Sequence, residues 1–457
     1  MTRALTTIEQ FESIRADLLQ RNAFKCREKL FSESEQWGIF DGLIRRHDHA
    51  FFSVVGLRGH SLKMVGPLME QPIIYQPTKA INGFLLNSTN QGLSVLFQAR
   101  VEPGNTGIMQ LAPTVQSTEA NYKRVHGGRP TKFINHFLDG EENRILYHGL
   151  QSEEGSRYHG KYNLNIITRA DDVDLLDDEA DFCLLSAEQI KEFIGLDYVI
   201  NTDARALLFF LDWDLLCNNS KAFYNSDNPV NRALLKSYSY DGQDVGSDVF
   251  DVMQAVSYMR ANFALRSEHT TLNELSNWEL SDRGLKEKTP QLGFSVFLYE
   301  VQATQREVGW WDQPLFSSDT TGRVVLFCRI NKGVMEFLVS SNREIGYLEG
   351  VQLTTSVSVA PGRRLELLSE DELTLLSEAD KAGENDVLLE SHQSEEGGRF
   401  YNDINHYQII MTDGDFDLKG AAEFYWLTLS QMKRLGNISS YISIELRCAL
   451  SHLIELS

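Results

Sequence analysis

Apolar residues spaced three and four apart predict an amphipathic helix over 8–19, and the same spacing returns over 250–264. Short apolar runs predict strands over 49–55, 83–86, 93–100 and 163–168. A second series runs over 292–299, 324–329, 335–340 and 407–412. Each series closes on two helical patterns, 186–193 with 201–211, and 428–435 with 443–454. Ser186 and Thr428 stand where N-caps belong. A tryptophan, Trp37 or Trp278, precedes the first strand of each series. One order of elements is written twice, and each writing is a sheet flanked by helices.

The repeat is also literal. Gln151-Ser152-Glu153-Glu154-Gly155 recurs as Gln393-Ser394-Glu395-Glu396-Gly397, an offset of 242. In the same register Phe52-Ser53-Val54 falls on Phe294-Ser295-Val296, Gln71-Pro72 on Gln313-Pro314, and Glu102 with Gly104 on Glu344 with Gly346. Gln110-Leu111 falls on Gln352-Leu353, Asn163 on Asn405, and Arg205 on Arg447. The chain therefore divides into a first module over 1–217, a connector rich in Asn, Ser, Asp and Gly over 218–247, and a second module over 248–457. The fold class is α+β, a tandem duplication of one mixed module.

Composition narrows the function. Of 457 residues, 42% are apolar and 23% charged, as in soluble globular proteins with real cores. The formal net charge of −21 disfavours nucleic acid as a partner. No apolar run is long enough to cross a bilayer, and the first residues do not read as a leader, so no membrane partner is expected. Five scattered cysteines suggest reduced thiols and a cytoplasmic protein.

Polar chemistry is densest over 96–128. Period-2 alternation puts Gln98 and Arg100 on one sheet face, with Glu102 following and Pro103-Gly104 turning the chain. Asn105, Gln110, Thr114, Gln116, Asn121, Tyr122 and His126 follow among apolar residues, the composition of a pocket for a hydroxyl-rich ligand. In the second copy Gln98 becomes Ser340, Arg100 becomes Asn342, Gln116 becomes Ser358 and His126 becomes Leu368. The first copy is thus the expected seat of chemistry. Trp310-Trp311 reads as core packing, with nucleobase stacking the alternative, and His47-Asp48-His49 reads as a surface turn without a third metal ligand.

The strings QARVEPGN, QLAPTVQST and VHGG, followed by QSEEG and a second SEEGGRFY, resemble the NDP-hexose 2,3-dehydratases of deoxysugar biosynthesis over nearly the whole chain. The second copy lacks an EPG…APTVQ string, and Leu164 stands where that family leads one to expect Arg. The resemblance implies two Nudix-like modules, a homodimer, and a nucleotide-diphosphate sugar, dTDP-linked, as ligand. It implies elimination of the C2 hydroxyl from an NDP-4-keto-6-deoxyhexose, whose product a downstream NADPH-dependent 3-ketoreductase consumes.

Such an elimination is redox-neutral and needs a base, a donor and an oxyanion site, so no cofactor is expected. Glu102, Tyr122 and His126 are the catalytic candidates. Gln71, Gln98, Arg100, Asn105, Gln110, Thr114, Gln116, Asn121, Arg129, Arg157 and Arg399 are the binding candidates, the arginines for the diphosphate. No metal site is expected, because the glycine-led R-E-x-x-E-E helix of Nudix pyrophosphatases is absent from the sequence. Two alternatives stand beside the lyase: a non-catalytic nucleotide-sugar-binding protein and a Nudix-type nucleotide-sugar pyrophosphatase.

Overall fold

The computed structural model describes residues 3–4, 7–22, 24–61, 69–89, 92–125, 127–138, 144–170, 181–217, 220–224, 227–262, 265–304, 306–420 and 423–457. Helices open the halves at Ile8–Asn22 and Val249–Asn262. The closing helices are Ala187–Ile194 with Thr202–Leu208, and Leu429–Gly436 with Ile444–His452. Ser186 and Thr428 are their caps, each in a capping box with a glutamine three residues on, Gln189 and Gln431.

Among the described residues the strands form sheets of eight, five, five and seven strands. The larger sheets are mixed and alike. Ala80–Thr89 pairs antiparallel with Gly92–Val101 and parallel with Tyr162–Ala170. Gly322–Asn331 does the same with Val334–Asn342 and Ile404–Met411. The expected strands over 49–55 and 292–299 start later, at Ser53 and Phe294. His49, Phe51 and Gly293 have positive φ (59°, 69° and 65°), which belongs to a turn and not to a pleated strand. His47 and His49 accordingly flank a turn, and His49 hydrogen-bonds Arg45 through its ring.

The two smaller sheets exchange strands. Lys25–Lys29, from the first half, pairs antiparallel with Phe294–Gln302 of the second. Leu265–Thr270, from the second half, pairs antiparallel with Ser53–Ser61 of the first. One aromatic cluster lies beneath both sheets, including Trp37, Phe52 and Tyr158 with Trp278, Phe294 and Phe400. A second, larger cluster runs through the closing helices and both large sheets, so the halves share their cores.

Within 218–247, Pro229–Tyr238 is a helix capped by Asn228 with Pro at its first turn. It buries Ala233, Leu234 and Ser237, and Ser237 Oγ accepts the Leu429 N–H (2.8 Å). Among the described residues no helix is long and apolar enough to cross a membrane.

Candidate functional site

The repeated SEEG loop crosses between halves. Gly104 N–H donates to Gly397 O (2.9 Å), and Asn402 N–H returns a bond to Gly104 O (2.9 Å). In the mirror arrangement Gly346 N–H donates to Gly155 O (2.9 Å) and Gly160 N–H to Gly346 O (2.8 Å). Gln71 and Gln313 hold these loops from behind by donating to Ser156 O (2.6 Å) and Gly398 O (2.8 Å). Each loop thus packs against the other half.

A cavity of about 260 Å³ lies where the second half's loop meets the first half's large sheet. From the first half come Asn82, Arg100, Glu102, Gln116, Asn121, Asn163 and Asp203. From the second come Arg306, Glu307, Trp310, Glu396 and Arg399. The Arg399 guanidinium lies over the Phe52 ring (4.3 Å) and donates to Gln76 Oε1 (3.0 Å), which fixes its plane at the cavity wall.

Alternation along Gly92–Val101 operates as expected. Arg100 donates from Nη1 to Gln98 (3.3 Å) and from Nε to Glu102 Oε1 (2.8 Å). Arg306 approaches the same oxygen at 3.5 Å. Glu102 is 2% exposed. Burial by itself would push its carboxyl up, but Arg100, Arg306 and Arg399 together hold it below the usual carboxylate range. Its second oxygen, Oε2, finds no hydrogen-bond partner among the described residues.

The cavity also carries an acid of different character. Asp203, 7% exposed, accepts from Asn82 Nδ2 (2.7 Å) and Gln116 Nε2 (2.6 Å). Burial, then Glu153, Glu396 and Glu102, raise its carboxyl well above the usual range against the pull of Arg100. Glu153, bonded by Asn163 (2.6 Å), is pushed up to about 7 by burial and by Glu396. Lys161, buried nearby, is brought down to about 8 by burial, with Arg399 adding to that and Glu153 opposing it. Glu396 accepts the Tyr158 hydroxyl (2.6 Å).

Of the residues expected from the sequence, Arg100, Glu102, Gln116, Asn121 and Arg399 line the cavity. Tyr122 does not: it packs partly buried against an apolar cluster of Ile81, Val115 and Phe137. His126 lies outside the described residues. Thr114 bridges strands, accepting from Leu85 N (3.0 Å) and donating to Leu96 O, and Ser356 repeats this in the second half. Gln110 donates to Ser394 Oγ (3.0 Å) across the halves, and Asn105 is packed against Gly397. Arg129 is exposed and donates to Thr304 O (2.8 Å). Arg157 is the mirror of Arg399, over Phe294 (4.2 Å) and bonded to Pro361 O (3.1 Å). Gln71, Gln98, Asn105, Gln110, Thr114, Arg129 and Arg157 therefore support or mirror the cavity without lining it.

Sequence reasoning missed Asp203, Asn82 and Arg306. Asp203 carried one signal, since Glu445 keeps an acid at its matched position. Trp310 was expected in the core, yet it is 44% exposed on the cavity rim, while Trp311 packs partly buried beside the main core. Among the described residues no group of three or more His, Cys, Asp or Glu is arranged to hold a metal ion.

Comparisons with known proteins agree with the duplication of the chain. The family model described as NDP-hexose 2,3-dehydratase matches residues 8–211 and again 250–453. The dTDP-4-dehydro-6-deoxy-alpha-D-glucopyranose 2,3-dehydratase of Saccharopolyspora spinosa is 30% identical over 454 residues, covering 98% of this chain and 91% of that protein. The proteins of that name from Streptomyces violaceoruber and Amycolatopsis orientalis are each 30% identical as well. They cover 90% and 96% of this chain, and 88% and 89% of their own lengths. With both halves matched and the likeness running nearly end to end, the chain belongs to the NDP-hexose 2,3-dehydratase family.

Proposed function

We propose that the chain is a hydro-lyase that removes the C2 hydroxyl of dTDP-4-keto-6-deoxyglucose to give the 3,4-diketo-2,6-dideoxy sugar. The observation that carries this reading is the inter-half cavity, in which an ionised carboxylate, the arginines Arg100, Arg306 and Arg399, and an unusually basic carboxyl face one small space.

The C4 ketone acidifies the C3 hydrogen. Glu102, kept ionised by its arginines, has Oε2 free to take that proton, and Arg100 and Arg306 stabilise the negative charge as it develops. The C4 enolate then expels the C2 oxygen, and the C3 enol tautomerises to the ketone. Arg399 and the exposed face of Trp310 suit the diphosphate and base of the nucleotide. Asn121 and Gln116 offer amides to sugar hydroxyls. Tyr122 has no part in this scheme.

The same reading takes 1–217 and 248–457 as two Nudix-like modules joined through 218–247, each a mixed sheet with flanking helices. It includes a homodimer, for which Phe250 and Tyr258 on one helix offer an exposed apolar face. It also places the protein in the cytoplasm, followed by an NADPH-dependent 3-ketoreductase that consumes the diketone.

Incubation with dTDP-4-keto-6-deoxyglucose, NADPH and a 3-ketoreductase tests the activity. Enzyme-dependent NADPH oxidation is expected. Binding without turnover favours a carrier of nucleotide sugars, and metal-dependent release of dTMP favours a pyrophosphatase.

A further inference from the structure

The carboxyls that line the cavity are not equivalent. Glu102 pairs with Arg100, Glu307 with Arg306 (3.5 Å), and Asp312 with Lys29 (3.1 Å), while Glu396 accepts the Tyr158 hydroxyl. Asp203 has no ion-pair partner among the described residues and is met only by two side-chain amides. Amides orient a carboxyl without supplying a positive charge. Their orientation is itself fixed: Asn201 Oδ1 caps its helix at Ala204 N (2.9 Å), so Asn201 Nδ2 donates to Gln116 Oε1 (3.0 Å). Gln116 must then present its NH₂ to Asp203.

One bond on each oxygen leaves each with a further hydrogen-bonding direction. This clamp belongs to the first half alone. At the matched positions of the second half Asn82, Gln116 and Asn201 are Val324, Ser358 and Ser443, while the acid remains as Glu445.

We infer that Asp203 is the catalytic acid that protonates the departing C2 hydroxyl, held for that purpose by Asn82 and Gln116. The inference rests on the lyase reading above. As the C3–H electron pair, already in the enolate, forms the C2–C3 double bond, the C2–O pair goes to oxygen and the Asp203 O–H proton joins it as water. Asp203 is left as a carboxylate and regains its proton from solvent. The carboxyl whose hold on its proton is strengthened by burial and by neighbouring carboxylates is the one suited to do this. It faces Glu153, Glu396, Glu102, Arg100 and Lys161, of which the three carboxylates favour the protonated form.

The test compares two leaving groups. Hydroxide needs a proton to leave C2, whereas fluoride leaves as the anion. With dTDP-4-keto-6-deoxyglucose, Asp203→Asn is expected to lose water elimination by roughly 10²–10⁴-fold. With the 2-deoxy-2-fluoro analogue, its fluoride release is expected to stay within about tenfold of wild type. Water elimination retained within tenfold, or equal loss of both leaving groups in a variant that melts as wild type does, overturns the assignment.

A second measurement needs no variant. In the wild type, water elimination should fall on a basic limb that fluoride release lacks, and identical pH profiles overturn the inference. Wild-type protein that eliminates neither group refutes the lyase reading itself, a result distinct from any failure of Asp203.

Discussion

Asp403 sits where the first half has Lys161, and its surroundings make its charge costly. It is buried and accepts from Ser318 N (2.7 Å) and Ser318 Oγ (2.9 Å), while Arg157 draws it down. Burial dominates and pushes its carboxyl up to about 7. A folded-state value above the unfolded one means the native chain holds the proton more tightly. Its contribution is therefore full at low pH and is lost as pH rises through about 7. Asp403→Asn removes that slope. The stability of wild type relative to the variant should fall by up to about 4 kcal/mol between pH 4 and 7.5, read by denaturant melts at each pH.

Arg157 and Arg399 form a contrasting pair with the same stacking and different duties. Arg399→Lys should lower kcat/KM at least about tenfold, because an ammonium cannot stack on Phe52 while serving the cavity with a fork of donors. Arg157→Lys should change kcat/KM less than about threefold while costing about 1 kcal/mol of stability, like its mirror.

At the scale of elements, what was legible was what is encoded locally. Ser186 and Thr428 announce their helices because a capping box is complete within four residues. The large-sheet strands followed their apolar runs, and the side-chain pairing of Gln98, Arg100 and Glu102 followed from alternation alone. The exchanged strands were illegible for the opposite reason. Lys25–Lys29 is a polar strand whose partner lies some 270 residues away, and nothing within five residues specifies that partner. The repeated QSEEG motif pointed to a loop kept by both halves but not to which half each loop serves.

Gly104 now explains part of that repeat. A Cβ there would lie 1.5 Å from Phe400 O, and one at Gly346 would lie 1.9 Å from Tyr158 O. Each glycine admits the other half's loop to backbone contact. Gly104→Ala should therefore displace the loop that carries Glu396 and Arg399. Activity is expected to fall by more than about 10²-fold, as misplacement of about 1 Å near the chemistry can do. Gly346→Ala should lower the melting temperature while largely sparing kcat, and assays of both variants side by side separate the two loop contacts.

At the scale of the whole molecule, the duplication has become an interlock. Each half supplies one strand to the other's small sheet, one loop to contact with the other half, and part of a shared aromatic core. Lys29 reaches across to the buried Asp312 and supplies it a counter-charge from the first half. Neither half can bury its apolar surface alone, since Trp37 and Phe52 pack in one cluster with Trp278 and Phe294. The cavity is likewise incomplete in either half, because Glu102 comes from one and Arg306 and Arg399 from the other.

The chain should therefore behave as one cooperative unit despite its two copies. Residues 1–217 and 218–457 produced separately should aggregate or lack a cooperative melt. Produced together from two messages with a tag on each, they should co-purify as a one-to-one complex with elimination activity. The Pro229–Tyr238 helix belongs with the second fragment, because it caps against Leu429 and Leu456 there. An isolated first fragment that melts cooperatively and turns over substrate would show that the exchange is ornamental; an inactive pair that regains activity only on mixing would show that the catalytic cavity exists only where the two copies meet.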